Sequence, residues 1–227
     1  MAKQKDQKEV LNVEDALTQS EAFIIKNGKL IIGIVAGVII IVAGVIMYKN
    51  LYAEPRENKA QSALFAAQNY FESDMYSEAL NGDSISSAGF LKVAEDYSGT
   101  DAANLARAYA GICYMKLGEY DKAVKEMDKF KGTDLMVAPS ILGAIGNCYA
   151  QLDQLDKASS YLLKAADKAD NNSLSPIYLI QAGDILVEMG KYDDAVKAYS
   201  KVKEKYYQSF QAMDIDKYIE RAKLSKK

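Results

Sequence analysis

The side chains that most often carry catalysis are sparse in this sequence and form no recognised catalytic pattern. The 227 residues include no histidine, two cysteines and 31 acidic residues. Without histidine, catalytic triads with an imidazole base, histidine-ligated metals and histidine proton shuttles are excluded. Gly-rich phosphate loops, Cys-x-x-Cys pairs and nucleophile elbows are also absent from the sequence. We therefore expect no enzyme, no cofactor and no small-molecule substrate, and a function that depends on surfaces.

Adjacent carboxylates are the remaining candidates for acid–base chemistry, and Asp193 and Asp194 are an example. They lie at the start of a predicted helix, where negative charge complements the helix dipole. The sequence therefore favours a solvated helix end over catalysis at this position.

One uninterrupted apolar run, Leu30 to Tyr48, precedes a long polar remainder. At about 1.5 Å of rise per residue, a helix of this length spans the roughly 30 Å hydrocarbon core of a bilayer. A secretory signal peptide is the alternative, but its apolar region is shorter and ends in a small-x-small cleavage site. Leu51 stands where the first small residue of such a site would be, which favours an uncleaved anchor.

The flanks of the run indicate its orientation. Lys26 and Lys29 precede it directly, while Lys49 follows it. The positive-inside rule slightly favours a cytoplasmic N-terminus, which leaves the bulk of the chain outside the cytoplasm. The net charge of −3 gives no electrostatic footprint for nucleic acid.

The remainder of the chain repeats a helical pattern. Gly-x-x-Tyr-x-x-x-Gly-x-Tyr-x-x-Ala begins at Gly111, and variants of it begin at Gly146 and Gly183. Such periodicity resembles the tetratricopeptide repeat, a helix-turn-helix unit of about 34 residues. Since glycine within a helix costs about 1 kcal/mol against alanine, these glycines predict close approach of the second helix of each hairpin.

Other positions of the repeat have predicted roles. The small partners on the second helices are Ala123, Ala158 and Ala195, and the tyrosines predicted to fill the wedge between hairpins are Tyr114, Tyr120, Tyr149 and Tyr192. Gly118 and Gly190 are predicted to end first helices in a left-handed conformation, and Asp153 takes the same place less comfortably.

The two ends of the repeat region are atypical. Ala67, Tyr70, Tyr76 and Ala79 match the repeat spacing, but the next matched residue, Gly111, comes too late. Either about nine extra residues near 81–87 lengthen a loop, or 90–97 is the true second helix; both remain open. At the other end, a capping helix over 209–224 is predicted, with an apolar side made of Phe210, Met213, Tyr218, Ile219 and Ala222.

Cys113 and Cys148 each follow a repeat glycine by two residues. Equivalent positions of stacked hairpins lie about 8–10 Å apart, beyond the roughly 7 Å limit between Cα atoms for a disulfide. We therefore predict two buried free thiols.

Two surfaces are predicted to bind partners. The first helices should line an apolar groove that takes a strand or helix of another protein, although individual side chains could instead pack against a neighbouring hairpin. The groove residues are Leu105, Ala108, Ile112, Met115, Asn147, Ile177, Ile180, Asp184 and Val187, with Gly143 and Ala150 beside them. Gly33, Gly37 and Gly44 share one face of the membrane helix and could pack against another helix in lipid.

The whole architecture resembles the YfgM-type ancillary subunits of the bacterial Sec translocon. The stretch FLKVAEDYSGTDAANLA at 90–106 is similar to the versions found in Bacteroidetes-like bacteria. The resemblance implies an inner-membrane protein with a periplasmic repeat domain, whose partners are the SecYEG translocon and a PpiD-like membrane-anchored chaperone. A scaffold for envelope or outer-membrane assembly is the alternative, although lipoprotein versions need an N-terminal cysteine and the first cysteine here is Cys113.

The sequence thus predicts an all-α protein with a single N-terminal transmembrane helix, a tetratricopeptide-repeat α-solenoid and a C-terminal capping helix. The predicted segments are a cytoplasmic 1–28, a transmembrane 29–48, a linker 49–58, a solenoid 59–208, and a capping helix with tail 209–227.

Overall fold

The computed structural model describes residues 2–83 and 87–226, with side chains from residue 21 onward. It divides into two compact units, one ending at Pro55 and one beginning at Arg56. The chain is about 80% helical. Within the described ranges there is no strand, only an isolated antiparallel bridge between Gly82 and Ala88. The predicted all-α class is confirmed.

The first unit is dominated by helix α1, Ala2–Tyr48, followed by a π-helical turn, Lys49–Ala53. The apolar run lies in α1, and none of its most apolar window, of mean hydropathy 3.1, is buried. A buried core helix is therefore excluded, and the helix is long and apolar enough to cross a membrane. The segment 49–58, predicted as a linker, is helical throughout.

The second unit is a series of helical hairpins. Its helices are α2 Glu54–Glu72, which begins two residues before the unit, α3 Tyr76–Asn81, α4 Phe90–Asp96, α5 Asp101–Lys116, α6 Tyr120–Met127, α7 Val137–Gln151, α8 Leu155–Ala169, α9 Ser175–Glu188, α10 Tyr192–Lys205 and α11 Ile215–Ser225, with a 3₁₀ turn at Phe210–Met213. The hairpins α5–α6, α7–α8 and α9–α10 follow one another, and each packs against its neighbours. This arrangement is the predicted repeat solenoid.

The turn inside each hairpin has a residue in the left-handed conformation at the equivalent position. The backbone φ angle is +78° at Gly118, +56° at Asp153 and +71° at Gly190. Asp74 takes the equivalent place between α2 and α3 with a φ of +58°. Glycine adopts this conformation freely and aspartate tolerates it. The three helix ends predicted at Gly118, Asp153 and Gly190 are confirmed, and Asp74 is a fourth that the sequence analysis did not predict.

Close approach of the two helices of a hairpin explains the repeat glycines. A Cβ atom on Gly146 would lie 2.8 Å from Cγ of Leu162 and 3.2 Å from the carbonyl oxygen of Ala158. At Gly111 it would lie 3.0 Å from the carbonyl oxygen of Ala123. Ala123 and Ala158, two of the small residues predicted on the second helices, are therefore where the backbones meet.

The tyrosines of the repeat lie at the sides of the core. Tyr114, Tyr120 and Tyr149 are half-buried and pack against the cluster that joins the second and third hairpins. The ring of Tyr149 also contacts that of Tyr161, at 5.3 Å between centroids. Tyr192 is half-buried at the start of α10.

The first hairpin has an insertion within its second helix. Its turn is as short as the others, and α3 begins at Tyr76, where the repeat spacing predicts it. The helix then stops at Asn81 and helical structure resumes at Phe90 in α4. A Cβ atom on Gly89 would lie 2.5 Å from the carbonyl carbon of Asn81, so the ends of the insertion lie together. Each alternative left by the sequence is therefore partly right: the extra residues follow Asn81, and a helix begins at Phe90.

The C-terminal cap differs from its predicted form. A 3₁₀ turn and α11 replace one continuous helix over 209–224. Ile219 and Ala222 are buried as predicted, but Phe210 and Met213 are about 80% exposed. Ile215 is the buried residue that the prediction missed, because the turn rotates α11 relative to a continuous helix.

Candidate binding surface

Most of the predicted groove residues on α5 and α9 pack into the solenoid. Ala108 is buried, and Leu105, Ile112 and Met115 are half-buried against the cluster of the second and third hairpins. Ile180 and Val187 pack in the same way against the cluster that includes α9 and α10. The exposed members of the set are Asn147, Ile177 and Asp184.

A tyrosine contributed by α9 fills the space above Gly143. A Cβ atom on Gly143 would lie 2.9 Å from Cζ of Tyr178, which is 9% exposed. The Tyr178 hydroxyl lies 3.5 Å from Oγ of Ser140. Gly143 therefore lets neighbouring first helices approach, and α7 offers little open groove at this point.

Asp184 is exposed but engaged. The hydroxyl of Tyr199 donates a hydrogen bond to its Oδ1 at 2.8 Å. Burial, together with this bond, raises the pKa of Tyr199 well above the ordinary value. Asp184 thus serves first to satisfy a buried phenol.

An open groove lies at the N-terminal end of the solenoid, between α2 and α5. This N-terminal groove encloses about 800 Å³. Its lining residues are Glu57, Asn58, Gln61, Ser62, Leu64, Phe65, Gln68, Asp101, Ala102 and Leu105. Of the predicted groove residues only Leu105 belongs to it, so this groove lies one hairpin nearer the N-terminus than most of the predicted set.

Hydrogen bonds fix the two walls of this groove. The Glu57 carboxylate accepts from the backbone N–H groups of Asp101 at 2.8 Å and Ala102 at 3.0 Å. Thr100 caps the same helix by accepting from the N–H of Ala103 at 3.1 Å. The first N–H groups of a helix have no partner within it, so α2 completes the end of α5 and is held beside it.

A comparison with protein families assigns this architecture. Residues 21–213 match the model of the tetratricopeptide repeat-like domain. The chain belongs to the tetratricopeptide repeat-like family. The match takes in the apolar run of α1 as well as the hairpins up to the 3₁₀ turn. The repeat fold of this family is typically a scaffold for protein–protein interaction.

Solved structures share the fold at low sequence identity. The nearly identical TPR-like repeats ascribed to a Podosopora anserina kinesin light chain match with a TM-score of 0.55 and 12% identity, over 74% of this chain and 87% of that one. MamA matches with a TM-score of 0.52 and 16% identity, over 73% of this chain and 91% of that one. No curated protein matches the sequence. These structures support the repeat fold alone.

The two cysteines are free and buried, as the repeat register predicted. Cys113 lies in the core of the first two hairpins and Cys148 in the cluster that joins the second and third. Burial raises the pKa of Cys113 to about 12 and that of Cys148 to about 11. Since the thiolate is the reactive form, neither is placed for chemistry.

Metal ligands do not gather in the part of the chain that the structure describes, where no three Cys, Asp or Glu side chains are close enough to hold an ion. On α1, a Cβ atom added to Gly33, Gly37 or Gly44 would meet nothing within 4 Å. That face is therefore open within the protein.

The N-terminal groove was missed because sequence reasoning gave α2 no surface role. Ala60, Leu64 and Ala67 form its buried side. Phe65 departs from this pattern, since it is large, apolar and 64% exposed. Its position between Gln61 and Gln68 is the signal that could have identified the groove.

Proposed function

We propose that this protein is a non-catalytic, membrane-anchored scaffold that acts as an ancillary subunit of the SecYEG translocon, together with a PpiD-like chaperone, on newly translocated proteins. One observation carries the proposal: the family match joins the exposed apolar helix and the repeat hairpins in a single span, residues 21–213. Interaction repeats tied to a membrane helix suit a partner that is itself in the membrane.

The proposed location is the inner membrane of a bacterium, with the N-terminus cytoplasmic and the repeats periplasmic. Lys26 and Lys29 beside the apolar run support this orientation. Modification of single cysteines by a membrane-impermeant maleimide tests it. In a Cys113→Ala, Cys148→Ala background of intact cells with a permeabilised outer membrane, a cysteine at Ser225 should react and one at Ser20 should not. The reverse pattern would invert the topology.

Two surfaces are proposed for partners. On the repeats, the exposed Asn147, Ile177 and Asp184 of the predicted set are the members available for contact. On the membrane helix, the open face of Gly33, Gly37 and Gly44 would pack against a transmembrane helix of a translocon subunit, because small residues permit close approach in lipid.

Mild-detergent co-purification tests the proposed partners. Affinity purification of the full chain should recover SecYEG and a PpiD-like chaperone. A variant with Gly33, Gly37 and Gly44 changed to Leu should lose the translocon and keep its helical content, whereas Val35, Val38 and Val42 changed to Leu is the matched control. Recovery of outer-membrane assembly factors without translocon subunits would favour an envelope-assembly scaffold and overturn the proposal.

A further inference from the structure

We propose that the N-terminal groove between α2 and α5 binds an extended peptide segment of four to five residues that carries one basic and one large apolar side chain. This inference rests on the proposed function in taking the repeats as a binding scaffold, and it names the kind of segment that they bind.

The apolar requirement comes from Phe65. Its side chain is 64% exposed, and within the described residues it stacks on no other ring. Leu64 and Leu105 line the same groove. An aromatic side chain in a preformed groove is a typical anchor for a partner, because burying it removes a large apolar area from water. A large apolar side chain of the bound segment would cover it.

The extended conformation follows from the polar groups around Phe65. Asn58, Gln61, Ser62 and Gln68 line the groove. The side-chain amides of Asn58 and Gln68 have no hydrogen-bond partner among the described residues, while that of Gln61 donates to Glu57 at 3.2 Å. A helix satisfies its own backbone, but an extended chain presents N–H and C=O groups that such amides can bind.

The length of the segment follows from the wall that α2 provides. From Asn58 to Gln68 the helix rises about 15 Å. An extended chain rises about 3.3 Å per residue, so this wall holds four to five residues.

The requirement for a basic residue in the segment comes from a carboxylate of the groove that is free to bind it. Glu57 is engaged by the N-terminus of α5 and by Gln61. The Asp101 carboxylate is exposed and has no ion pair with any described residue. The remaining lining residues are uncharged. Charge complementarity therefore selects a Lys or Arg at the Asp101 end.

The positions of the two anchors set their spacing in the segment. Asp101 lies beside Glu57, near the start of the wall, and Phe65 lies about 12 Å further along α2. In an extended chain, residues four apart share a face and are separated by about 13 Å. The segment should therefore carry its basic and apolar residues four positions apart.

Fluorescence anisotropy with the full chain in lipid nanodiscs tests the inference. The probes are labelled decapeptides of Ser and Gly that contain either Lys-x-x-x-Leu or Leu-x-x-x-Lys, since the groove does not fix the chain direction. At least one should bind, and replacing its Leu by Ser should weaken binding at least tenfold. Phe65→Ala should do the same, whereas Phe210→Ala, at an exposed aromatic outside the groove, should not.

A charge exchange tests the role of Asp101. Asp101→Lys should weaken binding of the Lys probe at least fivefold and should bind the probe with Glu in place of Lys better than the wild type does. Asp121→Lys, in the first turn of α6, is the matched control and should change neither. Circular dichroism establishes that each variant is folded.

Different negative results would overturn the groove inference and the proposed function. No binding of either probe up to 1 mM, or binding that Phe65→Ala leaves unchanged, would overturn the inference. A chain that binds the probe through Phe65 but never co-purifies with the translocon would instead refute the proposed function and leave the groove assignment standing.

Discussion

The ring of Tyr199 occupies the space that a side chain at position 183 would need. A Cβ atom on Gly183 would lie 2.6 Å from Cζ of Tyr199, which is 1% exposed. Met127 lies over Gly111 and Leu162 over Gly146 in the same way. In each of these three hairpins, a large residue four positions after the small alanine covers the glycine of the first helix. Three different side chains thus use one packing solution.

This packing predicts a loss of stability when the glycine is filled. Gly146→Leu should lower the free energy of unfolding by about 1–3 kcal/mol or more, because the new side chain overpacks against Leu162 and the Ala158 carbonyl. Asn147→Leu introduces the same side chain at the next, exposed position of α7 and is the control. Thermal unfolding followed by circular dichroism measures both, and equal melting temperatures would refute the packing assignment.

The Tyr199 hydroxyl predicts a decrease in stability at high pH. Its pKa is raised in the folded state, so above the unfolded pKa of about 10 the unfolded chain binds fewer protons than the folded chain. Stability should therefore fall as pH rises beyond about 10. Tyr199→Phe should remove this component and cost about 1 kcal/mol at neutral pH through the lost bond to Asp184. Urea unfolding at pH 8 and pH 11 separates the two effects.

Two of the predicted groove residues on α9 should differ in how far a charged substitution destabilises the protein. Ile180→Asp should destabilise the solenoid by about 2–3 kcal/mol, because Ile180 packs against the core of the last two hairpins. Ile177→Asp, three residues earlier and 36% exposed, should have a clearly smaller effect. Comparable melting temperatures for the two variants would contradict the burial pattern of α9.

The buried thiols predict chemical inertness. With pKa values of about 12 and 11, Cys113 and Cys148 should remain unmodified by maleimide in the folded protein at pH 7 and react fully after denaturation. They should also stay reduced under oxidising conditions. Mobility shifts on non-reducing gels after treatment with a polyethylene-glycol maleimide report both results, and rapid labelling of the folded chain would argue against this burial.

The hydrogen bonds that Asp134 accepts at the start of α7 predict a loss of stability in acid. Its carboxylate accepts hydrogen bonds from the backbone N–H groups of Met136 at 2.9 Å, Val137 and Ala138, and the first two of these lower its pKa most. A lowered pKa stabilises the fold above the unfolded pKa of about 4, and this contribution is lost as pH falls through the folded value. Asp134→Asn keeps a capping oxygen but does not titrate, so its melting temperature should fall less between pH 6 and pH 3. Parallel pH curves would contradict the capping role.

The repeat hairpins could be predicted because their constraints are local in sequence. Gly118 and Gly190 mark positions where only a left-handed residue ends the helix, and Gly146 marks a helix crossing. Each signal recurs at nearly constant spacing, so the register and the burial of Cys113 followed directly. The long apolar helix, which could span a membrane, was evident from length and composition alone.

The surfaces could not be predicted in the same way. Whether Ile112 lines a groove or packs on the next hairpin depends on how far adjacent first helices are separated, and that distance is set by contacts such as Tyr178 against Gly143. The cap was mispredicted for a similar reason, since the 3₁₀ turn changes the helical phase and exposes Phe210. Long-range contacts of this kind leave no periodic pattern in the sequence from which they could be predicted.

Contacts between hairpins in sequence order have a mechanical consequence. Because each hairpin from α5 onward packs against its neighbours in the chain, we expect the repeat region to bend through small rotations at successive junctions, which add up along its length. A pull applied at one end is shared among these junctions instead of being resisted at one. Elasticity of this kind would let the scaffold yield while a bound polypeptide is under tension.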